Sequence, residues 1–130
     1  MSFAQHRIWS PRSSYNPSMP ALLVTCTCPD RPRALTLARD LVELRLAACV
    51  QVLPGLHSIY RWDGRVEDAE EVMLLIKTAG DRMQALTEAI AERHPYELPE
   101  IIALQATGGL DRYLQWVQDE TRPENTETSE

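Results

Sequence analysis

Hydrophobic and polar positions along the chain predict alternating strands and helices. The run 21–27 (ALLVTCT) is rich in strand-forming residues and predicts the first strand. Asp30 is the candidate N-cap of the first helix, with Pro32 in the first turn, where its missing N–H costs nothing. The helix itself is indicated by apolar residues that recur at helical spacing, at positions 34, 37, 38, 41, 44 and 48.

A long hairpin is predicted in the middle of the chain. The second strand covers 49–62 and is interrupted by Pro54-Gly55, which indicates a bulge or an edge. Asp63-Gly64 is a strong hairpin-turn signal, because both turn positions require a positive φ. The third strand covers 65–78, and its apolar second half, 72–76, is typical of a strand covered on both faces.

The remaining pattern predicts a helix, a strand and a last helix. The second helix opens at Gly80-Asp81 and ends at His94-Pro95, because the residue before a proline is pushed out of the helical region. Strand four covers 99–107 and the third helix covers 110–120. The order β-α-β-β-α-β-α indicates an α+β fold: a ferredoxin-like β-α-β-β-α-β sandwich with an extra C-terminal helix.

The polar ends divide the chain into three parts. Residues 1–19 are polar and proline-bearing and are predicted to form a flexible N-terminal arm. Residues 121–130 contain no apolar side chain and are predicted to be a disordered acidic tail. The domain is 20–120. Its helices cover one face of the sheet only, so the bare face and the long hairpin favour an oligomer.

Composition excludes several classes of function. Lys and Arg number 13 against 19 Asp and Glu, a net charge of −6 that argues against nucleic-acid binding. No apolar run is long enough to span a bilayer, and 1–18 lacks the apolar core of a secretory signal, so we expect a cytoplasmic protein. Three cysteines fit a reducing compartment. No catalytic or nucleotide motif is present, so neither an enzyme nor an organic cofactor is predicted.

Two cysteines are the candidate chemistry of the first strand. Cys26 and Cys28 are two apart, so their side chains share one side of the strand and can meet one soft cation. A structural zinc site needs four ligands, however. The alternative is that Cys26 is a small buried hydrophobe and Cys28 a surface thiol. Cys49 is predicted to be a packed core thiol, and His94 to cap a helix C-terminus.

The hairpin carries an acidic stretch that allows more than one interpretation. Its residues are Glu67, Asp68, Glu70 and Glu71. They can protect a strand end against pairing with another chain. Alternatively, they bind a hard cation or form salt bridges within an oligomer. His57, on the opposite strand, is predicted to be a half-buried strand residue.

Together these segments resemble the CutA family of divalent-cation tolerance proteins, over about 20–120. The matching motifs are Val24-Thr25-Cys26-Thr27 with Pro29-Asp30, Leu46-Ala47-Ala48-Cys49-Val50, Pro54-Gly55 with Ser58-Ile59-Tyr60-Arg61-Trp62 and Gly64, Glu70-Glu71-Val72 with Lys77-Thr78, His94-Pro95-Tyr96 with Pro99-Glu100-Ile101, and Tyr113-Leu114 with Trp116-Val117. The resemblance implies a homotrimer like that of the PII signalling proteins, with hairpins pairing across subunits and the third helix at the interface.

The same resemblance implies a copper site. Bacterial members of the family bind copper through a strand-one thiol and two adjacent histidines, which correspond here to Cys26, Arg93 and His94. A guanidinium offers no lone pair, so Arg93 departs from the pattern. Cys28 supplies a third donor in its place. The expectation is weak binding of copper, as Cu(I), by Cys26, Cys28 and His94.

A second function remains open on the sequence. A trimer of this kind has clefts between its subunits, which are default ligand sites when they mix aromatic and charged groups. The residues expected in such a cleft are Tyr60, Arg61, Trp62, Glu67 and Tyr96. The chain is then a signalling or ligand-binding module. A scaffolding trimer with no small ligand is the third possibility.

Overall fold

The computed structural model describes residues 8–12 and 14–123 of the chain. The predicted order of elements is confirmed. The elements are β1 (Ala21–Cys28), α1 (Arg31–Glu43), β2 (Cys49–Trp62), β3 (Arg65–Ala79), a 3₁₀ turn (Gly80–Arg82), α2 (Met83–Arg93), β4 (Ile102–Gln105) and α3 (Asp111–Glu120). Across these described ranges, no helix has the length and apolar character needed to cross a membrane.

The sheet has four antiparallel strands in the order β2-β3-β1-β4, the ferredoxin-like arrangement. Its long hairpin closes at Asp63 and Gly64, both with positive φ as predicted (53° and 78°). The register slips between Leu53 and Leu56, which confirms the bulge, and Gly55 occupies it with a φ of 85°. The hairpin therefore follows the turn chemistry of its sequence.

The core lies between the sheet and the α1–α2 layer. The side chain of Asp30 accepts a hydrogen bond from the Arg33 backbone N–H at 2.9 Å, so the predicted N-cap is confirmed. The apolar stripe of α1 is buried as predicted up to Leu41. Leu44, predicted to continue it, is exposed instead, because α1 ends at Glu43 and Arg45 turns the chain with a φ of 60°.

Two elements are shorter than their patterns predicted. The segment that opens at Gly80 first makes a 3₁₀ turn, and α2 proper begins at Met83. β4 has four residues and pairs only with Leu22–Thr25 of β1. At Thr25, where this pairing ends, the carboxylate of Glu100 accepts a hydrogen bond from the Thr25 hydroxyl at 2.9 Å.

The described parts of the two polar ends pack on the domain, where the sequence predicted a loose arm and tail. Gln118 of α3 accepts from the Asn16 N–H at 2.9 Å and donates to the carbonyls of Asn16 and Met19, each at 2.7 Å. Thr121 is fully buried, and the Arg122 guanidinium holds Asp81 with two hydrogen bonds. The Gln118 side chain of α3 thus binds the main chain of a polar segment that composition alone predicts to be solvated. The rest of the predicted arm and tail, 1–7, 13 and 124–130, lies outside the described residues.

Candidate functional site

The end of β1 brings its two cysteines under the end of α2. Cys26 and Cys28 are 0% and 1% exposed, and His94, the C-cap residue of α2, is 9% exposed. The two sulfurs and a ring nitrogen of His94 all lie within 4.8 Å of one another. The alternative in which Cys28 is a surface thiol is therefore wrong, because its side chain is buried and its sulfur lies 3.9 Å from the His94 ring.

The two thiols are linked to each other. A hydrogen bond between their side chains raises the pKa of Cys26, and burial raises it further. The same hydrogen bond lowers the pKa of Cys28, against the opposing effect of its burial. Cys26 is thus the donor and Cys28 the sulfur that carries negative charge more readily.

His94 is fixed by the main chain on both sides of its ring. Its Nε2 lies 2.7 Å from the carbonyl oxygen of Thr27, the residue between the two cysteines. Its Nδ1 accepts a hydrogen bond from the backbone N–H of Tyr96 at 3.1 Å. A carbonyl only accepts and an N–H only donates, so the ring is the neutral tautomer with its proton on Nε2. The Sγ of Cys28 is 3.9 Å from that nitrogen.

A polar network joins this cluster to the hairpin. The Tyr96 hydroxyl donates to Glu71 at 2.7 Å, and the Ser58 hydroxyl donates to the other oxygen of Glu71 at 2.6 Å. Burial, and then the hydrogen bond to Glu71, raises the pKa of Tyr96. Sequence reasoning placed Glu71 in a general acidic stretch and missed Ser58 and Thr27. Their roles depend on contacts between distant segments that no local spacing signals.

Arg93, which stands at the position of a family histidine, turns away from the sulfurs toward α1. Its Nε is 3.7 Å from the Asp40 carboxylate, and its Nη1 donates to the Ala89 carbonyl at 3.2 Å. It lines a surface cavity of about 440 Å³ whose wall also includes Cys28. Arg93 therefore leaves the cluster with three donors, two sulfurs and one imidazole.

The cluster fits a soft metal ion through its sulfurs. Two adjacent buried thiols are the donor set that thiophilic metals such as Cu(I) prefer. The imidazole fits less well, because both of its nitrogens already serve backbone partners. Four ligands of the kind that a structural zinc site requires are not assembled among the described residues.

The residues predicted to line a ligand cleft lie mostly along the hairpin. Tyr60 faces Glu67 across the β2–β3 register, while Tyr96 contacts the cysteine cluster through His94 and the hairpin through Glu71. Tyr60, Arg61, Trp62 and Glu67 are exposed in the single chain. None of the five lines the 440 Å³ cavity or a second one of about 420 Å³ between α1 and α3.

Two further sequence predictions are corrected here. His57 is exposed and lies 3.4 Å from the Asp68 carboxylate, because the hairpin extends beyond the helix layer. Cys49 is half-buried, and its side chain forms a hydrogen bond with the side chain of Tyr113. The pKa of Tyr113 is raised by burial first and by this cysteine second. The third cysteine thus lies against α3, away from the pair on β1.

Comparison with known proteins gives a consistent result. The profile of the CutA1 divalent ion tolerance protein family matches residues 22–120. A relative from Pectobacterium atrosepticum, the divalent-cation tolerance protein CutA, is 42% identical over 109 residues, which cover 84% of this chain and 99% of the relative. The crystal structure of CutA from Xylella fastidiosa has a TM-score of 0.77 at 46% identity, covering 79% of this chain and 99% of that one.

A plant relative is longer than the region it shares. The chloroplastic protein CutA of Arabidopsis thaliana is 42% identical over 105 residues, which cover 81% of this chain and 58% of the relative. The chain thus spans little more than half of that protein's length. The region matched by the family profile carries both the cysteine cluster and the hairpin.

Proposed function

The chain belongs to the CutA1 divalent ion tolerance protein family, and from that premise we propose that it binds copper, as Cu(I), at the cluster of Cys26, Cys28 and His94. The proposed role is binding without catalysis and without an organic cofactor. One observation carries the proposal: two thiols and an imidazole of a single chain lie within 4.8 Å of one another, under the end of a helix.

Burial and donor chemistry support a soft ion at this cluster. Cys26 and Cys28 are 0% and 1% exposed, so both sulfurs lie in a site shielded from water. Thiolate ligands favour thiophilic ions such as Cu(I) over harder divalent cations. A metal ion must displace the protons of both thiols, so binding should weaken as the pH falls.

Anaerobic competition titration of Cu(I) against a colorimetric chelator tests this proposal. We expect the wild-type chain to compete for one Cu(I) per chain. The double variant Cys26→Ser, Cys28→Ser should lose that binding. The matched control is Cys49→Ser, which removes the remaining free thiol and should leave the affinity unchanged. Equal affinities in the wild type and the double variant would contradict the proposal.

We also propose that the functional unit is a homotrimer. Ile59 and Val66 are 73% and 67% exposed, and they lie on the hairpin face opposite to that of Tyr60 and Trp62, which are also exposed. Apolar side chains on both faces of one hairpin need partners on both sides. Light scattering behind size exclusion should give three times the chain mass of 14.8 kDa. A monomer at micromolar concentration would contradict it.

A second candidate function uses the hairpin instead of the thiols. If trimerisation covers the hairpin, Tyr60, Arg61, Trp62, Glu67 and Tyr96 form PII-like clefts between subunits that bind a small ligand. The exposed aromatic and acidic side chains of the single chain support this alternative. A thermal shift caused by a small charged or aromatic ligand, retained in the Cys26→Ser, Cys28→Ser variant, would favour it over the metal site.

The proposed compartment is the cytoplasm. The three cysteines are free, and a Cu(I) thiolate site requires reducing conditions. Relatives differ in this respect, since the Arabidopsis relative is named chloroplastic and the solved Archaeoglobus fulgidus structure is described as a periplasmic CutA. Detection of the chain in fractionated cells tests the assignment, and recovery in a periplasmic fraction would overturn it.

A further inference from the structure

The residue that ends α1 has a strained backbone. The helix closes with the two hydrogen bonds of a Schellman motif: the Leu46 N–H donates to the Leu41 carbonyl and the Arg45 N–H to the Val42 carbonyl, each at 3.0 Å. This motif places one residue in the left-handed region, where glycine is usual because it has no Cβ. Here that residue is Arg45, with a φ of 60°. A large side chain at a position that favours glycine is a candidate for a function other than folding.

The side chain of Arg45 lines a cavity between α1 and α3. The cavity has a volume of about 420 Å³, which lies within the range of small-ligand sites. Its apolar wall includes Ala48 and the half-buried aromatic side chain of Trp116. Its polar wall consists of Arg45 and two carboxylates, Glu43 and Glu120. An aromatic surface beside groups of both charges can bind a ligand that has an apolar part and two charged ends.

The charged groups of this cavity are available to a ligand. The Nη1 of Arg45 is 4.0 Å from the Glu120 carboxylate, which is an ion pair but too long for a hydrogen bond. Among the residues that the structure describes, the side chains of Arg45, Glu43 and Glu120 form no hydrogen bond. A guanidinium has several N–H donors and a carboxylate has several acceptor sites, so all three groups can bind further partners.

The position of the two carboxylates favours a positive charge in the cavity. Glu43 and Glu120 are the last residues of α1 and α3. The C-terminal end of a helix is electrically negative, so an acidic side chain there is unfavourable and a cation is favourable. Neither helix has a basic residue in its last turn. Arg45 is thus one guanidinium against two carboxylates and two helix ends.

We propose that this cavity binds a free α-amino acid with an aromatic side chain, as its zwitterion. Glu43 and Glu120 attract the ammonium group, and Arg45 binds the carboxylate. The aromatic ring of the ligand packs on the indole of Trp116. The cavity is separate from the cluster of Cys26, Cys28 and His94. The inference therefore goes beyond the proposed copper binding and does not depend on it.

Isothermal titration of the full chain with L-phenylalanine tests the site. We expect saturable binding by the wild type and a loss of about tenfold or more in Arg45→Gly, because the ligand carboxylate loses a charged partner. Melting temperatures should show that Arg45→Gly is at least as stable as the wild type, since glycine relieves the strain. A role confined to the end of α1 would not produce that combination. The matched control is Arg39→Ala, which removes an exposed arginine of α1 outside the cavity and should bind like the wild type.

Two analogues of the ligand test the two charges separately. Phenethylamine lacks the carboxylate and hydrocinnamate lacks the ammonium group, and each should bind about tenfold or more weakly than phenylalanine. An analogue that binds as tightly as phenylalanine would overturn the zwitterion assignment. Unchanged binding in Arg45→Gly would overturn the assignment of the cavity. No saturable binding of phenylalanine at millimolar concentrations would overturn the whole proposal, and this is the result expected if a second copy of the chain covers the cavity.

Discussion

Replacement of Gln118 by alanine should detach the N-terminal segment from α3. The Gln118 side chain is 3% exposed and makes three hydrogen bonds to the main chain of Asn16 and Met19, at 2.7–2.9 Å. At about 0.5–1.5 kcal/mol each, these three bonds set an upper limit of about 4.5 kcal/mol on the loss of stability. The freed backbone can bond water once the segment detaches, so we expect a loss of about 1.5–3 kcal/mol.

Urea unfolding at one fixed protein concentration measures this loss, because an oligomer's stability depends on concentration. Deletion of 1–19 supplies the decisive comparison. In the shortened chain Gln118 has lost its partners, and its replacement should cost no more than about 0.5 kcal/mol, as at ordinary surface positions. Gln84→Ala is the matched control on the surface of α2. If Gln118→Ala costs as much in the shortened chain as in the full one, the reasoning is refuted.

Three further predictions concern single side chains. Asp30→Ala removes the N-cap of α1 and should lower the free energy of unfolding by about 1 kcal/mol in urea titrations. Arg45→Gly relieves a left-handed residue after α1 and should raise the melting temperature, with a gain of about 0.5–1 kcal/mol; an unchanged or lower value would contradict it. The Arg122 hydrogen bonds lower the pKa of Asp81 below its unfolded value, so this pair stabilises at neutral pH, and the contribution disappears as the pH falls through the folded pKa. The stability difference between wild type and Asp81→Asn should therefore be larger at pH 7 than at pH 2, though below about 1 kcal/mol because both side chains are partly exposed.

Much of the fold could be predicted because it depends on local rules. Asp63-Gly64 predicted the turn, Pro54-Gly55 the bulge, and the helical spacing up to Leu41 the buried face of α1. The prediction that Leu44 is buried was wrong because the end of α1 depends on the backbone of Arg45, which has a positive φ that residues other than glycine rarely adopt. Because arginine is not a typical residue at a helix end, the sequence gives no signal that α1 ends here.

The site could be predicted only in part. Strand alternation placed Cys26 and Cys28 on one side, and the motif around His94 suggested a third donor. The two hydrogen bonds that occupy the His94 ring were not predictable, because one of them joins residues 67 positions apart in the chain. The same holds for Gln118, whose partners lie about a hundred residues upstream. Such contacts depend on how the helices pack on the sheet, and the spacing of residues within one element does not predict them.

The most direct test of the metal site is a crystal structure of the Cu(I)-loaded chain, with data collected on both sides of the copper absorption edge. The account predicts an anomalous peak beside the Sγ atoms of Cys26 and Cys28 and the ring of His94. A peak at the acidic stretch of the hairpin, or no peak beside the two sulfurs, would contradict it.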